Sequence, residues 1–532
     1  MKGKWWIIGF LILVAVPLGM AAYKTYHVDP YFHYHKPYTD EYFYNIYNQR
    51  SQNDGIARNF EYDGLLTGTS MTENFRASEA ERLFGGNFIR VSFSGGTFKE
   101  FNNILTTAFA HNDNLKNIIF SLDKEKMILD KDAMRTDLGK FPTYLYNDNP
   151  FDDVEYLFNR DVLFSTIYDM EIAKKEGAEP GISTFNTSYI GWDAFTFGVK
   201  ALYPGGVKAT NRAAEQPGLT ESERAMVTEN VRVNILELAK KHPDATFYLF
   251  IPPYGAMWWQ EQINGGEFNR QLEAERIVIE ELLKADNIRV HSFNLTMTDI
   301  ITDLNHYKDN IHYGEWINSL ILHYMSEGKG LLTKENYEQY LAEEREFYWN
   351  FNYEEVLGGQ KDYERDLLAA MDVVEEIAFT EPYRPDRQTL EAGLMNAEIV
   401  EDQYEGTLGV LCKGRLNRET GSKVYVADYI RANNDYNGVR IVIDDISDYR
   451  YLVVYGKKVA AHGQPGIYVY DSTGALAKNT TASYGKLDAE WHPYIVDVTL
   501  LTGRVEIVLQ GGYIDASGSP DSRFIFSDIV LY

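Results

Sequence analysis

Two short motifs that lie far apart in the chain contain the residue types of nucleophilic catalysis. Gly68-Thr69-Ser70 ends an apolar segment that begins at Tyr62, and Asp309-x-x-His312 follows much later. A serine hydroxyl becomes a useful nucleophile when a neighbouring imidazole takes its proton, and a carboxylate can hold that imidazole in the required tautomer. The two motifs therefore predict a triad of Ser70, His312 and Asp309, as in a hydrolase or an acyltransferase.

The tetrahedral intermediate of such a reaction needs backbone donors for its oxyanion. We expect these donors to be the N–H groups of Ser70 and of Gly95 or Gly96, because glycine permits a close approach of the backbone to a ligand. Asp303 and His306 repeat the spacing of the second motif six residues earlier. This earlier pair competes for the roles of acid and base.

The segments between the motifs alternate between strands and helices. Apolar runs predict strands at 62–68, 88–93, 117–122, 246–251 and 288–293. Amphipathic spacing predicts helices at 98–110, 220–241 and 267–285, whereas residues 140–215 form an irregular insertion. Such alternation is typical of an α/β fold with a parallel sheet covered on both faces. Sites in these sheets lie beyond the carboxyl ends of the strands, where Ser70, Gly95, Asp123 and Pro252 are expected.

Over residues 55–325 the chain resembles the SGNH (GDSL-like) hydrolases and acyltransferases. Gly68-Thr69-Ser70 takes the place of that family's Gly-Asp-Ser, Gly95 that of its second-block glycine, and Asp309-x-x-His312 matches its last block. Tyr313 and a helix-like run follow this block as in the family, which favours it over the earlier pair. The resemblance implies a three-layer parallel-sheet domain that uses no cofactor and no metal.

One block of the chain departs from the family pattern. The third block is Gly-x-Asn-Asp in the family, and its asparagine donates to the oxyanion, but here the stretch is Phe120-Ser121-Leu122-Asp123. A carboxylate cannot donate a hydrogen bond unless it is protonated. Asp123 is therefore expected to hold a loop or a sugar hydroxyl. Asn74 is a second candidate for substrate binding, through its side-chain amide.

Three segments before and around the first motif indicate which branch of the family the chain resembles. Residues 29–35, 53–59 and 67–74 are together similar to membrane-anchored SGNH proteins of Gram-positive bacteria, of the DltD-like and AlgJ/AlgX-like type. Those proteins work beside membrane-bound O-acyltransferases on surface polymers. The resemblance implies an extracytoplasmic esterase or O-acyltransferase, with acetyl as the expected acyl group and an acylated polysaccharide as substrate. The alternatives are a non-catalytic glycan-binding protein and an acyl-transfer partner of a membrane-bound O-acyltransferase.

The N-terminus predicts a membrane segment. The run from Trp5 to Tyr23 has no charged residue, and nineteen residues can cross a bilayer as a helix. Lys2 and Lys4 precede it, which places the N-terminus in the cytoplasm and the remaining chain outside. We therefore expect a single-pass anchor at 1–23 in a bacterial cell membrane. A cleaved signal peptide is the alternative, because small residues end the run at 19–22.

Charge and cysteine content exclude several other classes of protein. The net charge of −27 argues against nucleic acid as a partner, because phosphate binding needs clustered basic residues. A single cysteine, Cys412, permits no intrachain disulfide and no site with several thiolates.

His33 and His35 have a spacing that a metal could use. The favoured interpretation is a membrane-proximal loop that packs on the domain.

The pattern of charged and apolar residues changes after the predicted catalytic domain, which we assign to 24–328. Residues 329–390 are charged and form a helical connecting segment, and 391–532 contain short strands separated by turns. This pattern predicts an antiparallel β-sandwich similar to a carbohydrate-binding module, with Trp491 as a candidate binding residue. Acidic loop residues at 444, 445 and 448 would permit a structural calcium ion, which the proposed chemistry does not require.

Overall fold

A computed structural model of the chain describes residues 2–360, apart from 179, 184, 186–197 and 208, and short segments of the C-terminal part. Those segments are 412–416, 423–428, 438–447, 449, 451–458, 466–473, 476–479, 492–498, 501–510 and 523–531. Trp491, Asp448, most of the predicted connecting segment and its boundary at 391 lie outside the described residues.

A six-stranded sheet forms the centre of the N-terminal part. The strands of this part are β1 (Phe43–Tyr44), β2 (Gly64–Gly68), β3 (Phe88–Ser92), β4 (Asn117–Ser121), β5 (Gly181–Ile182), β6 (Thr246–Ile251), β7 (Ile288–Ser292) and β8 (Leu331–Leu332). The order in the sheet is β3-β2-β4-β6-β7-β8, parallel except for the last pair. The chain reverses its direction of winding between β2 and β4, and such a switch point opens a crevice at the carboxyl ends of the strands.

Helices cover both faces of this sheet. The helices of the N-terminal part are α1 (Lys2–Val28), α2 (Gln49–Asn59), α3 (Ala77–Phe84), α4 (Phe98–His111), α5 (Val154–Leu157), α6 (Ile167–Lys175), α7 (Val199–Leu202), α8 (Glu221–Val231), α9 (Glu237–Lys241), α10 (Ala256–Gly265), α11 (Phe268–Leu282), α12 (Thr298–Ile301), α13 (Glu315–Ser326), α14 (Tyr337–Asn350) and α15 (Tyr353–Gly358). Successive side chains of a strand point to opposite faces. Accordingly, Leu65 joins the apolar cluster of α2 and α4, and Leu66 joins the cluster of α3, α10 and α13.

These elements confirm the predicted α/β fold. Each predicted strand of the sheet lies within two residues of an observed strand, and 246–251 matches β6. The predicted helix 220–241 is α8 and α9 joined by a π-turn, and its capping box is formed: Thr220 Oγ1 accepts from the Glu223 N–H at 3.3 Å. Sequence periodicity did not predict α10, because five consecutive residues at its start, 256–260, are all buried and leave no alternation of apolar and polar positions.

The N-terminal helix is longer than the predicted membrane segment. Residues 4–28 have a mean hydropathy of 2.2 in their most apolar window, and that window is fully exposed in the isolated chain. This is the length and composition of a single-pass anchor, and a signal sequence shares both. The helix continues past Tyr23 because Thr25 and Val28 are buried against the domain.

The loop after α1 is organised by one carboxylate. Asp29 accepts hydrogen bonds from the His33 N–H at 3.0 Å and from the Tyr156 hydroxyl at 2.8 Å. The two histidines have separate partners: His33 Nε2 lies 3.2 Å from Asp153, and His35 Nε2 lies 2.9 Å from a backbone carbonyl. The loop thus packs on the domain, and the described residues include no group of three or more metal-ligating side chains.

The described C-terminal segments are β-strands. They are β9 (Cys412–Leu416), β10 (Lys423–Asp428), β11 (Gly438–Ile443), β12 (Tyr451–Lys458), β13 (Gly466–Tyr470), β14 (Leu476–Asn479), β15 (His492–Asp497), β16 (Val505–Gln510) and β17 (Arg523–Leu531). They form two antiparallel sheets, β15-β12-β17-β10-β9 and β11-β16-β13-β14. The predicted sandwich of these sheets, its role in glycan binding and a calcium ion stay predictions.

A cluster of buried charges attaches α14 to the sheet domain. Lys124, which follows β4, contacts the carboxylates of Glu275 and Glu344, and all three side chains are fully buried. Asn294 Nδ2 donates to both carboxylates, at 3.2 and 2.6 Å. The Lys124 ammonium also lies 4.6 Å from the centre of the Trp259 ring. The Lys124 ammonium is therefore shared by two fully buried carboxyl groups.

Candidate active site

The turn after β2 places Ser70 at the switch point of the sheet. All five residues of β2 are buried, and Ser70 begins a short 3-10 turn that Thr69 caps by accepting from the Met71 N–H at 3.2 Å. Gly68 has φ +145°, and a Cβ atom there would lie 2.2 Å from Ser121 Oγ. Any larger residue would clash with Ser121, so this position requires glycine. The backbone conformation of Gly68 directs the residues that follow it out of the strand.

The loop between α12 and α13 brings the second motif to Ser70. His312 Nε2 lies 2.8 Å from Ser70 Oγ, and His312 Nδ1 lies 2.8 Å from Asp309 Oδ2. The loop is held on one side by Tyr307, whose hydroxyl donates to the Pro253 carbonyl at 2.7 Å after β6. The three side chains predicted from the sequence thus form one continuous hydrogen-bonded relay.

Asp309 is arranged to stay ionised within this relay. Burial alone would raise its pKa, but the hydrogen bonds and charge of His312 and the N–H groups of Ile311 and His312 lower it below the usual range. The two N–H groups donate to Asp309 Oδ1 at 3.0 and 2.7 Å. An ionised carboxylate at Nδ1 leaves Nε2 as the acceptor that faces the Ser70 hydroxyl.

The competing pair has a different position. His306 Nε2 lies 3.6 Å from Asp303 Oδ2, which is longer than a normal hydrogen bond. The Ser70 hydroxyl is bonded to His312 and not to this pair. The geometry therefore favours the later motif as the source of acid and base.

The turn after β3 contains Gly95 and Gly96, the two glycines predicted as oxyanion donors. The Gly96 N–H donates to the Phe93 carbonyl at 2.7 Å, so this group closes its own turn, which corrects the expectation that it could serve an oxyanion. Gly95 has φ +59° and lies under Arg135, whose Nη1 would be 2.6 Å from an added Cβ. The N–H groups of Ser70 and Gly95 remain the candidate donors.

Asp123 lies behind the nucleophile turn. Its side chain is buried, and its carboxylate accepts from the Ser121 hydroxyl at 2.6 Å and from the Tyr254 hydroxyl at 2.8 Å. Ser121 Oγ in turn accepts from the Thr69 N–H at 3.2 Å. Both carboxylate oxygens are thus engaged, which favours a loop-holding role over contact with a sugar. Asn74 is 5% exposed, and its role in substrate binding stays a prediction.

Glu73 is a buried carboxyl group that the sequence did not single out. It follows Ser70 by three residues, its Oε1 accepts from Gln49 Nε2 at 2.7 Å, and its buried Oε2 has no hydrogen-bond partner among the described residues. Burial raises its pKa, although Gln49 and the charges of His312 and Lys308 oppose this. A neutral carboxyl group can donate a hydrogen bond. Glu73 is therefore a candidate for the donor role of the absent third-block asparagine.

The strained glycine before the nucleophile gives a first test of the site. In Gly68→Ala the new methyl group must displace Ser121 or the turn, and a shift of 1 Å in a nucleophile lowers kcat by about 10²-fold. We expect that loss of kcat in ester hydrolysis, while the circular dichroism spectrum of the folded protein is retained.

Gly85→Ala is the matched control for this variant. Gly85 also has a positive φ, +75°, but nothing lies within 4 Å of its added Cβ. It therefore carries the same kind of backbone strain without a clash. Equal losses of kcat in the two variants would show that strain, and not displacement of Ser70, lowers the rate.

Comparisons with known proteins give remote structural similarity. No family model matches the chain, and no curated protein matches it significantly. A Streptococcus pneumonia protein, provisionally described as a platelet activating factor, is 11% identical with a TM-score of 0.26, covering 55% of this chain and 91% of its own. A two-domain esterase active on acetylated mannans is 9% identical with a TM-score of 0.21, covering 87% and 90%.

A carbohydrate-binding module of Clostridium stercorarium, solved with cellobiose, is similar to part of the chain. It is 14% identical with a TM-score of 0.16, covering 24% of this chain and 87% of its own. TM-scores of this size are too low to establish a common fold.

Proposed function

We propose that this protein is an extracytoplasmic serine esterase or O-acyltransferase, acting on acetyl or similar acyl esters of a bacterial surface polysaccharide. The observation that carries the proposal is the relay from Ser70 Oγ through His312 to Asp309, with both hydrogen bonds at 2.8 Å. The membrane-spanning length of α1 supports the location. The polysaccharide and the acetyl group rest on the resemblance described above.

The reaction would begin with proton transfer from Ser70 Oγ to His312 Nε2 as Oγ attacks the ester carbonyl carbon. The N–H groups of Ser70 and Gly95 would face the resulting oxyanion. His312 then returns the proton to the departing sugar oxygen, which leaves an acyl group on Ser70. Asp309 stabilises the imidazolium that forms in each half of the reaction.

The second half of the reaction decides between the two activities. A water molecule or a sugar hydroxyl gives its proton to His312 and attacks the acyl carbon. The bond to Ser70 Oγ breaks, and the proton returns to the serine. Water as acceptor makes the protein an esterase, and a sugar hydroxyl makes it a transferase.

Labelling by a fluorophosphonate tests the proposal directly. The full-length protein in detergent micelles is treated with the probe and assayed with p-nitrophenyl acetate, beside Ser70→Ala and the control Ser222→Ala, which changes an exposed serine on α8. We expect labelling and acetate release by the wild type and the control, and neither in Ser70→Ala. A wild type that resists the probe would contradict the proposal and favour a non-catalytic glycan-binding protein.

A further inference from the structure

A group of large apolar side chains lies exposed beside the point where α1 enters the domain. They are 40% to 85% exposed. The group, which we call the 151–168 surface, consists of Phe151, Val154, Phe158, Phe164 and Tyr168. Single exposed apolar residues are ordinary, but a group of this size within eighteen residues marks an interaction surface.

The 151–168 surface is attached directly to the last turns of α1. Thr25 Oγ1 donates to the Leu157 carbonyl at 3.0 Å, and the Lys24 ammonium contacts the Glu171 carboxylate. Phe164 lies in a π-helical turn (Val162–Thr166) that contacts α1, and Tyr168 follows it in α6, three residues before Glu171. The segment that carries these apolar side chains therefore packs beside the C-terminal end of α1.

The depth of these contacts follows from helix geometry. Nineteen residues from Trp5 to Tyr23 span roughly 28 Å, which matches a hydrocarbon core of about 30 Å. Thr25 lies roughly 3 Å farther along the helix axis, within a headgroup region that is about 5–8 Å thick on each side. Leu157 bonds to Thr25, so its apolar neighbours lie at the level of the headgroups.

The charges of this region indicate the kind of contact. Acidic residues outnumber basic ones in residues 151–175: Asp152, Asp153, Glu155, Asp161, Asp169 and Glu171 stand against Arg160, Lys174 and Lys175. Electrostatic attraction to anionic lipid headgroups is therefore not expected at this surface, and its apolar side chains are left to make the contact. We propose that the 151–168 surface inserts into the boundary between headgroups and acyl chains of the bilayer that α1 spans. The domain then lies on the membrane in one orientation.

A fluorescent label on this surface tests the insertion. The full-length protein carries Cys412→Ser and Tyr168→Cys, is labelled with an environment-sensitive dye, and is reconstituted into phosphatidylcholine vesicles with or without doxyl-labelled lipid. We expect the doxyl lipid to quench the dye roughly twofold, since interfacial helices bury 5–10 Å into this boundary. Adding Phe164→Asp should reverse most of this quenching.

Val356→Cys provides the matched control. Val356 is also an exposed apolar residue, 39% exposed, on α15, which packs against α10. Its dye should show the same emission with and without doxyl lipid. Equal quenching at 168 and 356, or none at 168 in these protein-free bilayers, would overturn the proposal. The second outcome would indicate that a membrane protein, and not lipid, covers the surface.

Discussion

The His312→Ala variant is expected to hydrolyse p-nitrophenyl acetate at least about 10³-fold more slowly than the wild type. The imidazole is bonded to Ser70 Oγ on one side and to Asp309 on the other, so its removal leaves the serine without a base. Combining it with Ser70→Ala should add no further loss, because residues that act as one unit are not additive. Steady-state kcat of the three variants measures this.

His306→Ala is the matched control for that experiment. It removes the imidazole of the competing Asp-x-x-His pair, which lies 3.6 Å from Asp303. We expect it to retain wild-type kcat. A large loss in His306→Ala together with an active His312→Ala would show that the earlier pair supplies the base, and would contradict the assignment.

The Lys124→Met variant should lose more stability than any surface substitution. Removing the cation leaves the Glu275 carboxylate buried without a counter-charge, and breaking a buried ion pair in this way costs about 3–5 kcal/mol. Urea denaturation followed by circular dichroism measures the loss as a lower midpoint. Lys36→Met is the control, because its ion pair with Glu61 is exposed to solvent and its removal should leave the midpoint unchanged.

The same cluster predicts how stability depends on pH. Burial and the nearby Glu275 carboxylate raise the pKa of Glu344 from 4.5 to about 8. The folded state then binds a proton that the unfolded state releases above pH 4.5, so this contribution to stability falls as pH rises towards 8. Glu344→Gln keeps the neutral form at every pH. Its urea midpoint should gain on the wild type from pH 5 to 8, and a parallel profile would contradict the shift.

The sheet was predictable because its strands are buried on both faces. Residues 64–68 and 117–121 are short runs with apolar residues at their centre, and such runs between helical patterns have few other interpretations. The relay was predictable for a different reason. Ser70 follows a strand directly, and Asp309 and His312 lie within one turn, so each motif is local in sequence even though the two meet only in the fold.

The residues that surround the relay left no such local signal. Gln49 joins Glu73 to the Ser94 N–H, with bonds of 2.7 and 2.6 Å, and Arg135 reaches the Ser94 carbonyl at 2.7 Å. These contacts connect four separate segments through side chains. Polar residues of this kind are indistinguishable from solvated ones until the chain folds. The engaged Gly96 N–H was missed because a turn's internal hydrogen bond cannot be seen in residue identity.

The distance along the chain between Ser70 and His312 has a consequence for biosynthesis. The hydrogen bond joins residues 242 positions apart, and such contacts form late because the intervening chain must be ordered first. A growing chain emerges from its N-terminus and therefore presents the serine long before the histidine exists. Every nascent or truncated product that ends before residue 309 carries an unactivated hydroxyl. Under the proposed mechanism, the protein cannot cleave esters until its synthesis has passed the five parallel strands of the central sheet and reached His312.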